Sequence, residues 1–199
     1  MIDVGPTVVA GQDGRARCWW ATGTASMTRY HDEEWGVPVT DDGELFERLM
    51  LEAFQAGLSW QTILNKRDGF RAAFRGWAPA VVATFDDRDR ERLLADAGIV
   101  RNRAKIDAAI GNARAFLELV GEFGSFEAYL ATFIPRPPRR LPRAAGWNDL
   151  AATTLESDAL SNDLKRRGFR FVGSTIVYAF MESVGLVDDH LPGCFRYRG

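Results

Sequence analysis

Ile106, Ala109, Ile110, Ala113, Leu117 and Val120 stand at i, i+3, i+4, i+7, i+11 and i+14, one stripe of an α-helix about four turns long. A strand would repeat every two residues, and no segment of this chain alternates convincingly. The same helical arithmetic recurs along the sequence. Asp41 with Glu44 three residues on makes a capping-box-like start, and Leu45, Phe46, Leu49, Met50 and Ala53 follow at helical spacing. Ser59 is placed to cap a helix through Ile63, Leu64 and Arg67 towards Gly69, with Phe70 and Phe74 continuing the spacing. Pro79 suits the first turn of a short helix. Asp86 or Asp87 caps another that buries Leu93 and Leu94 and ends near Gly98. Asn102 or Arg103 opens the long helix, Ser125 a short one, Ser157 a helix over 158–167 closed by Gly168, and Ser174 or Thr175 a last one through Val184. The expectation is an all-α fold of about eight helices.

Irregular stretches separate them. Gly36 and Pro38 mark a loop after Trp35, and 188–194 reads as loop. The stretch IPRPPRRLPRAAGW cannot be regular helix and reads as an extended connector. Residues 1–16 read as a loose tail and 17–199 as one domain, a length sufficient to bury a core without staples. No apolar run reaches the ~18 residues of a membrane span. The N-terminus has an early acid and no apolar core, which disfavours an export signal and points to the cytoplasm. A net charge of -2 neither suggests nor excludes nucleic acid, since binding needs only a local basic face.

Three constellations carry chemistry. The chain holds two Cys and two His, Cys18 and His31 near one end and His190 and Cys194 near the other. Two thiolates and two imidazoles are the donors of a closed tetrahedral Zn²⁺ site, structural because no position stays open. The spacing fits two buried Cys and two surface His equally well. Next, Gly98 centres a turn between two helices, with Arg101, Arg103 and Lys105 nearby, an arrangement that would hold a phosphate on backbone N–H groups. A solvated helix corner reads the same way. Lys165, Arg166, Arg167 and Arg170 form a second basic cluster, equally explained as cations at a helix C-terminus. Last, LEAFQAGLSW puts Glu52 on the margin of an apolar face, then a turn at Gly57 and Leu58, then Trp60. With Trp19, Trp20, Tyr30 and Trp35 in the neighbouring sequence, this suits a flat cationic ring, although each aromatic taken singly suits a core.

Together the segments CWW, YHDEEWGVP, LFERLMLEAFQAGLSWQTILNKR, AGIVRNRAKI, SDALSNDLKRRGFRFVGSTIVYAFMESVGLVDDH and GC are identified as those of the bacterial DNA-3-methyladenine glycosylase I family, a branch of the helix-hairpin-helix DNA glycosylases. The resemblance implies that Cys18, His31, His190 and Cys194 ligate one structural zinc. It implies that Glu52 reads methylated adenine and that Trp20, Tyr30 and Trp60 stack on it. Gly57 and Leu58 would enter the DNA at the lesion, and the hairpin around Gly98, within about 87–120, would hold the backbone. The implied partner is double-stranded DNA, bound by a monomer. Trp19 and Met27 depart from the family pattern. Two other functions are compatible with the residues alone: a metallohydrolase using the Cys/His cluster, which needs an open metal position, and a non-enzymatic DNA-binding module, which would release no base.

Overall fold

The computed structural model describes residues 8–134, 139–143 and 145–198. Its elements, in chain order, are β1 (Val8–Ala10), β2 (Ala16–Cys18), α1 (Ala25–Glu33), α2 (Asp42–Gln55), α3 (Trp60–Ala73), α4 (Pro79–Val82), α5 (Asp87–Ala95), α6 (Arg103–Phe123), α7 (Phe126–Leu130), β3 (Arg139–Arg140), α8 (Leu155–Arg166), α9 (Ser174–Ser183) and β4 (Val187–Asp188). The chain is mostly helical, with two small two-stranded sheets. It divides into two compact units, one of 1–38, 135–152 and 181–199, the other of 39–134 and 153–180. No helix among the described residues is long and apolar enough to cross a membrane.

The first unit is built on its termini. Val8–Ala10 pairs antiparallel with Ala16–Cys18, Val8 opposite Cys18. The tail expected over 1–16 is therefore strand and turn in its described part, while 1–7 lie outside the described residues. Two valines favour extended backbone, and Gly14 at φ 77° closes the turn. Arg17 fixes it, its guanidinium bonding Asp13 (2.6 Å) and Asp32 (2.7 Å). The short polar stretch before Trp35 is a helix, α1, capped by Thr24. Its apolar face is too brief to show as periodicity. Residues 139–140 of the expected extended connector pair in parallel with 187–188, so the C-terminal loop begins as a strand. Residues 135–138 and 144 of that connector lie outside the described residues.

The second unit holds the aromatic core. Phe74 stacks on Trp77 at 4.1 Å, Phe54 packs on Phe70 at 4.7 Å and Phe46 on Phe116 at 5.1 Å. The helix starts follow the sequence: Asp41, Ser59, Asp86, Asn102 and Ser125 each accept a first-turn N–H. One start is earlier than expected. Thr154 caps α8 and Ser157 closes a reciprocal capping box with it, so Ser157 is the third helical residue and not the cap.

Candidate active site and metal centre

In the first unit, α1 carries Tyr30 and His31 inward, both buried. Donor atoms of Cys18, His31 and Cys194 all lie within 4.8 Å of one another. The Cys194 Sγ is 3.4 Å from His31 Nε2. His190 stacks edge-on beside His31, ring centroids 5.1 Å apart. Each imidazole has its Nδ1 on a neighbouring carboxylate: His31 on Asp32 at 2.8 Å, His190 on Asp188 at 2.7 Å. This fixes the tautomer that presents Nε2, as metal-ligating histidines require. The Nε2 of His190 is buried and has no hydrogen-bond partner. A buried imidazole nitrogen with a spare lone pair is costly unless something binds it.

The thiols complete the pattern. Hydrogen bonding to Cys18 holds the Cys194 thiol below the ordinary thiol range, against burial and with help from His31 and the Arg196 N–H. The same bond and burial push Cys18 far above the ordinary thiol range. The pair thus favours sharing one proton, with Cys194 the more acidic thiol. Cys18, His31 and Cys194 could together hold a metal ion, and His190 lies beside them with its Nε2 unpartnered, the donor types a closed site uses.

The spacing YHDEEWGVP acquires a reason here. Gly36 has φ 72°, and a Cβ there would meet His190 Cε1 at 2.8 Å. Trp35 packs its ring on His190 at 4.5 Å and on Trp20 at 4.9 Å. Trp20 stands 6.5 Å from Tyr30 and is half-buried. Of the two departing positions, Trp19 is 43% exposed and Met27 is half-buried.

In the second unit, Glu52 lies in the last turns of α2 and is only 3% exposed, deeper than the margin its spacing suggested. Burial raises its pKa to about 8, and the Arg48 charge opposes the shift only in part. One carboxyl oxygen, Oε2, is buried without a partner. Ala56 then leaves the helix, Gly57 takes φ 79°, and the Leu58 N–H closes the turn on Gln55 O at 2.6 Å. Leu58 stands 41% exposed at the tip of this turn. Trp60 opens α3, half-buried.

The Gly98 corner joins α5 to α6. Asp96 accepts the Gly98 N–H at 2.7 Å, and Asn102 accepts that of Lys105 at 3.1 Å. Gly98 and the charges of Arg101 and Arg103 are exposed. Lys105, grouped with them by sequence, is not. It is 7% exposed and donates to Phe54 O at 2.8 Å and Ala56 O at 2.6 Å. Helical geometry turns the third residue of α6 inward, where two orphan carbonyls of α2 need a donor.

A second corner lies between α8 and α9, where the sequence by itself shows only cations at a helix C-terminus. Asn112, buried in α6, grips Arg170 twice: Nδ2 to its carbonyl at 3.0 Å and Oδ1 from its N–H at 2.8 Å. Ser161 donates to Val172 O at 2.7 Å. Between them Phe171 is held at φ 56°, a strained value for a bulky residue. Lys165, Arg166 and Arg170 are exposed around it. The signal was the order Gly-Phe-Arg-Phe-Val-Gly at a helix start, legible only with the Asn112 clamp in view.

Residues 20–197 match the model of the methyladenine glycosylase family. The chain is 47% identical over 183 residues to DNA-3-methyladenine glycosylase 1 of Escherichia coli, covering 92% of this chain and 97% of that protein. It is 40% identical over 178 residues to DNA-3-methyladenine glycosylase of Haemophilus influenzae, covering 89% and 96%. A crystal structure of 3-methyladenine DNA glycosylase I superposes with a TM-score of 0.87 at 46% identity, over 91% of this chain and 99% of the other. The structure from Staphylococcus aureus that describes recognition of 3-methyladenine superposes at 0.84 with 36% identity, over 87% and 92%. With a match running nearly end to end in sequence and in fold, this chain belongs to the methyladenine glycosylase family.

Proposed function

We propose that this protein is a monofunctional DNA glycosylase that hydrolyses the N-glycosidic bond of 3-methyladenine in alkylated DNA. One observation carries the reading beyond family membership: a buried carboxyl group with an unpartnered oxygen, six residues before an exposed leucine on a left-handed turn. A buried carboxyl oxygen without a partner costs stability, and a cationic base supplies what it lacks.

Methylation at N3 leaves the nucleotide cationic and its glycosidic bond already weak. The base leaves as a neutral molecule, so little general-acid assistance is needed. The lesion must leave the stack to be reached. Leu58 enters the gap. Glu52 meets the extruded cation, whose charge draws the carboxyl into its ionised form, and Trp60 stacks on the ring. The resemblance in sequence assigns a stacking role to Trp20 and Tyr30 as well, which lie 6.5 Å apart in the first unit. A water attacks C1′, and no lysine is assigned as a Schiff-base nucleophile.

Double-stranded DNA is the proposed partner, bound by a monomer. The α8–α9 corner suits the phosphate backbone better than the Gly98 corner. It has a strained, clamped loop among exposed cations, whereas Gly98 N–H is taken by Asp96 and Lys105 faces inward. Gly98, Arg101 and Arg103 remain a second contact. Cys18, His31, His190 and Cys194 would hold one Zn²⁺, which would tie β2 and α1 to the C-terminal segment and leave no open position for chemistry.

The test is incubation with methylated duplex DNA and chromatography of what is released. Free 3-methyladenine with the abasic strand uncut is expected. DNA binding without any free base would favour the non-enzymatic module. A borohydride-trapped protein–DNA adduct would overturn the monofunctional assignment.

A further inference from the structure

Leu58 sits on a four-residue connection between α2 and α3, too exposed to be held by packing. Both sides of that connection are nevertheless anchored to the α5–α6 corner. On the α2 side, the Lys105 ammonium bonds Phe54 O at 2.8 Å and Ala56 O at 2.6 Å, the last carbonyls before the backbone leaves the helix. On the α3 side, Lys66 donates to Ala97 O at 2.8 Å. One turn further, Gly69 approaches so closely that a Cβ there would lie 2.5 Å from Gly98 O. Helix ends normally satisfy their last carbonyls with water, a glycine cap or a surface cation. Here the donor is a buried lysine 49 residues away, whose desolvation has to be offset by these bonds.

We propose that Lys105 is a positioning residue for base extrusion: by fixing the α2 carbonyls it presets the Gly57–Leu58 turn in the attitude that enters the DNA stack. This rests on the glycosylase reading above. Glu52 lies up to one helical turn before the clasped carbonyls, so the clasp acts mainly on the turn that follows and leaves the carboxyl in place. Loss of Lys105 frees the turn and slows extrusion, while the groups that meet an already extruded base keep their places.

The experiment compares wild type, Lys105→Met, Leu58→Ala and the double variant. The readouts are single-turnover excision from duplex DNA, binding of free 3-methyladenine, and fluorescence of a 2-aminopurine placed beside the lesion to report unstacking. Expected is an excision rate down by roughly tenfold or more in Lys105→Met, a reduced unstacking signal, and free-base affinity within about twofold of wild type. The Met substitution adds little further loss when Leu58 is already Ala, because both act on one step. Independent, multiplicative losses, or equal losses in excision and free-base binding, would overturn the proposal. If Lys105→Met does not fold, Lys105→Gln, which keeps an uncharged NH₂ donor on a shorter side chain, replaces it; failure of both to fold makes Lys105 a determinant of the fold and also overturns the proposal. If wild type itself releases no 3-methyladenine, the glycosylase reading fails instead, and the two failures are told apart by that control.

Discussion

Glu52 is the residue whose chemistry depends most on its surroundings. Folding raises its pKa from 4.5 to about 8, chiefly by burial. The unfolded chain therefore loses this proton as pH rises past about 4.5 while the folded chain keeps it, and stability falls until about pH 8. Glu52→Gln removes that loss, so the variant should gain up to ~3–5 kcal/mol over wild type at pH 8 and little at pH 4. Urea unfolding at the two pH values measures it, and an equal gain at both would contradict the buried, proton-holding acid. Excision should move the other way, with the variant slower than wild type by roughly a hundredfold. The pH profile of kcat/KM should show an inflection near pH 8 in wild type that is absent in Glu52→Gln. Leu58 carries the opposite signature, an apolar group left in water. Leu58→Ala should leave Tm nearly unchanged, as an exposed site with little packing to lose, yet slow excision from duplex DNA.

At the scale of elements, the two corners differ in what constrains them. The α8–α9 corner has its backbone gripped by one buried side chain, Asn112. Asn112→Ala strands the Arg170 N–H and carbonyl, which should cost ~2–4 kcal/mol of stability. It should also weaken binding to undamaged duplex while binding of free 3-methyladenine persists, as titrations with each ligand would reveal. Undiminished duplex binding in a folded Asn112→Ala protein would shift the backbone contact to the Gly98 corner. The helices themselves were legible from capping and spacing, because those signals act within four or five residues. The sequence points to Ser157 rather than Thr154 as the cap for a physical reason. Ser157 is itself a good cap residue, and only the reciprocal bond separates the first from the third position.

For the whole molecule, the termini decide more than their length suggests. β1, β2 and α1 are short, and the first unit has few long apolar faces, so a metal joining Cys18 and His31 to His190 and Cys194 would carry a large share of its stability. Stripping metal with a strong chelator should lower Tm, added Zn²⁺ should restore it, and metal analysis should find about one zinc per chain. His190→Ala should abolish the restoration; if Tm were indifferent to chelator throughout, the metal assignment would be wrong. The amino-acid sequence by itself determined the helical class, most helix starts, the donor types and the Glu52–Leu58–Trp60 order, since each depends on local periodicity or on motifs of a few residues. Only the tertiary structure decided that Lys105 turns inward to hold α2, that Asn112 clamps a strained loop 58 residues away, and that Gly36 makes room for His190. Those facts depend on which backbone groups are left without partners once helices pack, and a one-dimensional pattern does not carry that information.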